Sequence, residues 1–130
     1  MAIYGIGAKY GDEDVSDQFI ANGIACVGWD EQQSPTLHSI LHHIKVGDII
    51  YIKSHPPNIG LIVKAIGIVT DTNIIRNDNL GNGITTRWIW TGEDRIGKFE
   101  DKYPVRNLNL YEEYNFEIQS RVLQLFLDAL

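Results

Sequence analysis

Apolar and polar residues follow one another along the chain in short blocks that predict strands separated by helices. The segments AIYGIGAKYG, IACV, IIYIKS and GLIVKAIGIVTD are mostly apolar and predict strands. The last of them is apolar on both faces, as expected for a strand covered on each side, and Gly67 would permit a sharp bend in it. The segment ITTRWIWT alternates, so one face of a further strand should carry Ile84, Thr86, Trp88 and Trp90.

Helices are predicted after the first and second strands. Asp12 to Ala21 forms a short acidic helix that Asn22-Gly23 ends, because both residues tolerate the left-handed conformation. Ser34-Pro35 begins the second helix, with serine as the N-cap and proline in the first turn. Its apolar face leaves His38 and His42 together on a solvated polar side.

The remaining segments complete the predicted fold. Residues 77–83 should form a mobile glycine-rich hairpin loop, and residues 102–110 the last short strand. Asn115 caps a C-terminal helix. Five or six strands with two inserted helices and a C-terminal helix indicate the α+β class and a small mixed β-barrel. Without an internal repeat or linker, residues 1–130 are expected to form a single domain.

Composition and charge narrow the classes of function. The net charge of −6 argues against broad affinity for a phosphate backbone, which depends on many lysine and arginine contacts. The chain has no apolar stretch of the roughly 20 residues that span a bilayer and no signal-peptide pattern, so we expect no membrane association and a cytoplasmic location. The single cysteine, Cys26, lies in an apolar strand and is predicted to be structural.

The sequence contains few features of an enzyme. The segment GIGAKYG departs from the G-x-G-x-x-G spacing of dinucleotide sites. His38 and His42 have the i, i+4 spacing of a metal pair but no third ligand at a recognisable spacing. Neither a G-x-S-x-G motif nor a P-loop occurs. We therefore expect no catalysis, no metal and no cofactor.

The aromatic residues suggest a binding site. Trp29 directly follows an apolar strand and precedes Asp30, and further aromatic residues lie on later strands: Tyr51, Trp88 and Trp90. In a small barrel such positions can converge at one rim, where a planar base would stack at about 1–3 kcal/mol per aromatic contact. Asp30, Lys53 or Ser54 would then recognise its polar edge. The alternative is that two or three of these aromatic residues belong to the core.

The order of several motifs resembles a known family. YGIGAKYGDEDVSDQFIANGIACVGWDE, IKVGDIIYIKS, GLIVKAIGIVTD and RWIW resemble PUA-like barrel domains of the EVE and YTH kind, especially the reader-like N-terminal domains that accompany Mrr-type restriction endonucleases. The resemblance implies a non-catalytic module that recognises a nucleobase, often a modified one, in an aromatic cage. It matches Trp29 to the tryptophan after the second strand and implies that the pocket is lined by Lys9, Tyr10, Lys53, Ser54 and His55 and completed by Trp88 or Trp90. Arg87, which precedes Trp88, is also predicted to bind the ligand.

Two departures from that family shape the expected partners. The chain is acidic, and we expect no nuclease or other effector domain after Leu130. The ligand is therefore expected to be a base in DNA, in RNA or in a free nucleotide, with a protein partner carrying any effector activity. The alternative function is a small acidic interaction or inhibitor module, associated with phage or defence, that docks to a basic partner through Asp12, Glu13, Asp14 and Asp17.

Overall fold

The computed structural model describes residues 1–99 and 105–130, which form eight strands, three α-helices and a short 3-10 helix. The strands are β1 (Ile3–Gly7), β2 (Lys9–Tyr10), β3 (Glu13–Asp14), β4 (Ile24–Val27), β5 (Ile49–Ser54), β6 (Leu61–Asn77), β7 (Gly81–Gly97) and β8 (Leu110–Glu112). The helices are α1 (Ser16–Asn22), α2 (Pro35–His43) and α3 (Phe116–Asp128), and the 3-10 helix covers Val105–Asn107. None of the described helices has the length and apolar character needed to cross a membrane.

Six of the strands form one sheet that curls into a half-barrel, in the order β4-β7-β6-β5-β1-β8. Strands β1 and β5 run parallel, whereas every other neighbouring pair in this sheet is antiparallel. Strands β2 and β3 form a separate two-stranded ribbon. The predicted α+β class, with two inserted helices and a C-terminal helix, is confirmed.

Both faces of the sheet are covered, which explains the continuous apolar runs of β1 and β5. Alternate residues of β5 enter two separate clusters: Ile50 and Ile52 pack with α1 and α2, whereas Ile49 and Tyr51 pack with α3. We call these sides of the sheet the α1–α2 face and the α3 face. Burial on both sides removes the polar positions that a half-exposed strand would show.

The β6–β7 hairpin is longer than the sequence suggested. Its ladder continues to the pair Asn77 and Gly81, so residues 78–80 alone make the turn. Leu80 is only 3% exposed, and its carbonyl oxygen accepts a 2.7 Å hydrogen bond from the Tyr10 hydroxyl. The predicted hairpin is therefore present, but its turn is shorter than residues 77–83, because residues 81–83 are paired in β7 and Leu80 is buried in the core.

A β-bulge in this hairpin separates two tryptophans. Ile66 pairs with Trp90 and Gly67 pairs with Trp88, so β7 has one extra residue at this point. A bulge of this kind breaks the alternation of side chains. Trp88 consequently packs on the α1–α2 face and Trp90 on the α3 face, and the prediction that they share a face is wrong.

The polar side of α2 also differs from the prediction. His42 is exposed, but His38 is buried. His38 Nδ1 donates to the Ser34 carbonyl oxygen at 2.9 Å, and Nε2 accepts from the Asn82 side-chain amide at 3.1 Å. Ser34 is the N-cap residue, yet its hydroxyl bonds to the Asp30 carbonyl oxygen and makes no capping bond to a helical amide. A tertiary contact with β7 thus removes His38 from solvent.

The C-terminal part follows the prediction in its helix and departs from it in its strand. Of the predicted strand over residues 102–110, residues 102–104 lie outside the described residues, and Val105–Asn107 forms the 3-10 helix. The strand is instead β8. Asn115 caps α3 as predicted, because its Oδ1 accepts from the backbone amide of Ile118 at 3.1 Å.

Candidate functional site

The carboxyl ends of β1 and β5 meet at one edge of the sheet, because these two strands are parallel and Gly7 pairs with Lys53. A cavity of about 500 Å³ opens there, a size typical of small-ligand sites. Its walls come from the ends of β1 and β5, the following loops, the β3–α1 junction, β6 and the segment before β8. The lining residues are Gly7, Ala8, Lys9, Asp14, Ser16, Lys53, Ser54, His55, Pro56, Pro57, Lys64, Arg106, Asn107 and Asn109.

The cavity brings together part of the predicted site. Lys9, Lys53, Ser54 and His55 all line it. The resemblance to PUA-like domains implied all four positions, and Lys53 and Ser54 were also predicted as polar groups that could recognise the edge of a base. The other predicted ligand residues are not among the lining residues.

Lys53 is the most constrained of these cations. Its ammonium donates to the Arg106 carbonyl oxygen at 2.7 Å and lies 5.9 Å from the centre of the Tyr111 ring. Burial lowers the pKa of Lys53, because desolvation disfavours the charged form. Lys53 takes part in none of the salt bridges between described residues.

His55 presents a neutral ring at pH 7. Burial lowers its pKa below the ordinary 6.5, the positive charges of Lys53 and Arg106 lower it further, and a hydrogen bond from the ring to the Asn107 side chain opposes the shift. A neutral imidazole has one nitrogen that donates and one that accepts. The bond with Asn107 engages one of these nitrogens, and the other can bond to a ligand.

Asp14 and Lys64 form an ion pair in another wall of the cavity. Lys64 Nζ donates to Asp14 Oδ2, and Asp14 Oδ1 accepts from the Ser16 backbone amide at 2.9 Å and from the Ser16 hydroxyl. Burial alone would raise the pKa of Asp14, but the hydrogen bonds from Lys64 and Ser16 outweigh it and lower the pKa to about 2. The carboxylate is therefore ionised across the physiological range.

This depressed pKa predicts an acid-dependent contribution to stability. The contribution is complete above the unfolded value of 3.8 and is lost as the pH falls towards about 2. Since the Asp14 side chain is 46% exposed, we expect at most about 1 kcal/mol. Urea unfolding at pH 6 and pH 3 should show a smaller acid loss for Asp14→Asn than for the wild type. Asp12→Asn, on the same acidic segment, should retain the wild-type loss, and an equal loss in both variants and the wild type would contradict the assignment.

Asn109 carries an unsatisfied donor at the cavity. Its side-chain Nδ2 is buried and has no hydrogen-bond partner among the described residues. Its Oδ1 lies against Gly7, where an added Cβ would be only 2.6 Å away. A buried donor without a partner costs about 1–3 kcal/mol. Asn109 is one of the residues that line the cavity, so only a ligand acceptor that reaches its Nδ2 would remove that cost.

A buried network supports the wall that carries Asn109. Arg106 donates from Nε to Glu113 Oε1 at 3.1 Å and from Nη2 to Oε2 at 2.6 Å, and both side chains are nearly inaccessible. Glu113 Oε1 also accepts from the Tyr51 hydroxyl at 2.7 Å, and that hydroxyl lies 2.8 Å from the hydroxyl of Tyr111. Sequence reasoning missed Asn109, Arg106 and Glu113, because an irregular segment has no hydrophobic period to mark them.

The aromatic residues do not converge at one rim. Tyr51 is fully buried on the α3 face, and burial is the largest of the effects that raise its pKa well above the ordinary value. Trp88 packs on the opposite face, and its indole nitrogen donates to the Phe19 carbonyl oxygen at 3.0 Å. Trp90 packs on the α3 face. For these three residues, packing in the core accounts for the observed positions.

The remaining predicted site residues are spread over the surface. Trp29 is 46% exposed in the turn after β4, so it is not a core residue. Asp30 stabilises that turn, because its carboxylate accepts a hydrogen bond from the backbone amide of Gln33 at 2.8 Å. Arg87 is exposed on β7, and the Tyr10 ring packs edge-on against Phe19. A role for them in ligand binding stays a prediction.

The acidic residues predicted to dock a basic partner differ in their contacts with the rest of the protein. Asp12, Glu13 and Asp17 are exposed, whereas the carboxylate of Asp14 is engaged by Lys64 and Ser16. Docking of a basic partner on this segment stays a prediction. The exposed carboxylates of Asp12, Glu13 and Asp17 would make the contacts.

Within residues 1–99 and 105–130, no three histidine, cysteine, aspartate or glutamate side chains come together as a metal site. Comparison with protein-family models gave no match to the chain, and comparison with curated proteins gave no significant match.

Proposed function

We propose that this protein is a non-catalytic module that binds a nucleobase, carried by a nucleic acid or by a free nucleotide, in the cavity at the carboxyl ends of β1 and β5. The observation that carries the proposal is the buried, unpartnered Asn109 amide among four predicted ligand residues. Nucleobase edges present ring nitrogens and carbonyl oxygens that accept hydrogen bonds from such an amide.

The chemistry of the other walls suits a base as well. The Ser54 hydroxyl, the neutral His55 ring and the Asn107 amide offer both donors and acceptors, and Pro56 and Pro57 add apolar surface. Base recognition generally combines hydrogen bonds to the polar edge with contacts to the flat face, for which histidine is one of the usual partners. This proposal places the base beside His55 and the prolines, away from Trp88 and Trp90.

The resemblance to PUA-like domains supports the same location, because it assigns Lys9 and the Lys53-Ser54-His55 stretch to the pocket lining. It also assigns Trp29 to an aromatic cage, and Trp29 is not among the residues that line this cavity. The two assignments can be separated by experiment. A cellular effect of binding would come from a protein partner that carries an effector activity.

Calorimetric titration with modified and unmodified nucleosides and short oligonucleotides tests the proposal. We expect Asn109→Ala to weaken binding of the preferred base about tenfold, since one hydrogen bond to a buried donor is lost. Asn79→Ala is the matched control, because Asn79 is exposed in the β6–β7 turn. It should bind like the wild type.

The variant Trp29→Ala separates the two possible locations. If Trp29→Ala abolishes binding while Asn109→Ala leaves it unchanged, the base binds beside the exposed tryptophan and the cavity assignment is wrong. If the wild type binds no nucleoside and no oligonucleotide, the proposed function itself is wrong.

A further inference from the structure

The cations of the cavity fall into two groups. Lys64 is neutralised by Asp14, and Arg106 is neutralised by the bidentate contact with Glu113. Lys9 and Lys53 take part in none of the salt bridges between described residues. Among the described residues, these two positive charges of the cavity have no carboxylate partner, in a chain whose net charge is −6.

Both lysines line the cavity from the ends of β1 and β5 and the chain that follows β1. Lys53 is directly paired with Gly7, and Lys9 lies two residues further along the same chain segment. Lys53 is partly buried, and its ammonium bonds to a backbone carbonyl oxygen, which supplies no negative charge. Removing a cation from water without a counter-ion is unfavourable, so an anionic ligand group would be stabilised at this position.

We propose that Lys9 and Lys53 form a phosphate subsite, so that the ligand binds as a nucleotide whose phosphate lies at these lysines while Asn109 contacts the base. This inference rests on the proposed function and names the charged part of its ligand. Lysine binds phosphate as a point charge, without the fixed geometry that arginine needs. The phosphate can belong to a free nucleotide or to a nucleic-acid strand.

The test compares a nucleoside with its 5′- and 3′-monophosphates and with inorganic phosphate by calorimetry. One monophosphate is expected to bind at least about tenfold more tightly than the nucleoside, and the difference should shrink between about 50 and 200 mM salt. Lys9→Ala and Lys53→Met should each reduce that preference severalfold, because each variant should weaken binding of the monophosphate by a larger factor than binding of the nucleoside. Lys45→Ala, an exposed lysine outside this cavity, is the matched control and should retain the preference.

Because Lys53 packs near the Tyr111 ring, Lys53→Arg serves as a second variant that keeps the positive charge. It should retain the phosphate preference if charge is what the site supplies. A single-stranded oligonucleotide tested beside the mononucleotide distinguishes the sources: tighter binding of the oligonucleotide assigns the phosphate to a strand, and tighter binding of the mononucleotide assigns it to a free ligand.

The outcomes separate this inference from the proposed function. Equal affinities for nucleoside and both monophosphates, or a preference unaffected by either lysine variant, would overturn the phosphate subsite and leave base binding intact. Binding of inorganic phosphate that depends on both lysines, without binding of any nucleoside or discrimination among bases, would support the subsite and overturn the proposed function. Failure of all these ligands to bind would overturn both.

Discussion

Replacing Glu113 by glutamine is expected to lower the free energy of unfolding by about 3–5 kcal/mol. The side chains of Glu113 and Arg106 are only 1% and 6% exposed, and the carboxylate accepts two hydrogen bonds from the guanidinium. Glutamine preserves the shape but removes the negative charge, so the buried guanidinium loses this counter-ion. Bonds to Glu113 from the Tyr51 hydroxyl and the Asn115 backbone amide would also be weakened.

Urea unfolding and thermal melting measure this effect, and a loss of about 10 °C or more in Tm is expected. The matched control is Asp94→Asn, which breaks a bidentate ion pair with Arg121 at the surface and should cost no more than about 1 kcal/mol. In the double variant Arg106→Met/Glu113→Gln the loss should be smaller than the sum of the single losses, because neither charge then remains buried without the other. Additive losses, or equal effects of Glu113→Gln and Asp94→Asn, would contradict a buried, coupled pair.

The variant Gly67→Ala is expected to destabilise the protein by about 2–3 kcal/mol, because it forces β6 and β7 apart at the bulge. A Cβ at residue 67 would lie 2.7 Å from the Arg87 carbonyl oxygen, 2.7 Å from Thr86 Cγ2 and 2.9 Å from the Trp88 ring. The carbonyl belongs to a paired strand and cannot move without disturbing the ladder. Glycine allows this close approach of two backbones.

Gly92→Ala is a matched control on β7. A Cβ there meets only the Trp90 ring, at 2.9 Å, and the half-buried ring can shift while the strands stay paired. Urea unfolding should therefore show a smaller loss for Gly92→Ala than for Gly67→Ala. If both substitutions are equally mild, the close packing of β6 on β7 does not limit stability.

Local patterns predicted most of the elements. The apolar runs of β1 and β5 are informative because both faces of those strands are buried, and Asn115 marks the start of α3 through a contact three residues away. The sequence overestimated the length of the hairpin turn, because the polar residues and glycines of residues 77–83 are typical of a loop. The burial of Leu80 depends on β2, whose Tyr10 is 70 residues away along the chain.

The candidate site was also predicted only in part from the sequence. Lys53 and Ser54 were predicted as polar groups that could recognise the edge of a base, and the resemblance to PUA-like domains implied the whole Lys53-Ser54-His55 stretch as pocket lining. Asn109 gave no such signal, since its importance lies in a buried amide without a partner. The prediction that Trp88 and Trp90 share a face was wrong because it assumed unbroken alternation of side chains along the strand. The bulge opposite Ile66 and Gly67 places the two tryptophans on opposite faces of the sheet.

The sequence by itself determined the α+β class, the inserted helices, the C-terminal helix and the polar end of β5, because each depends on contacts a few residues apart or on the periodicity of a single element. Only the tertiary structure decided that β1 runs parallel to β5 and that Lys9 and Lys53 line one cavity together with Arg106 and Asn109. These features join residues about 45 to 100 positions apart, from Lys9 to Lys53 and to Asn109. Strand pairing and burial therefore create the cavity. Neither can be predicted from a local pattern along the chain.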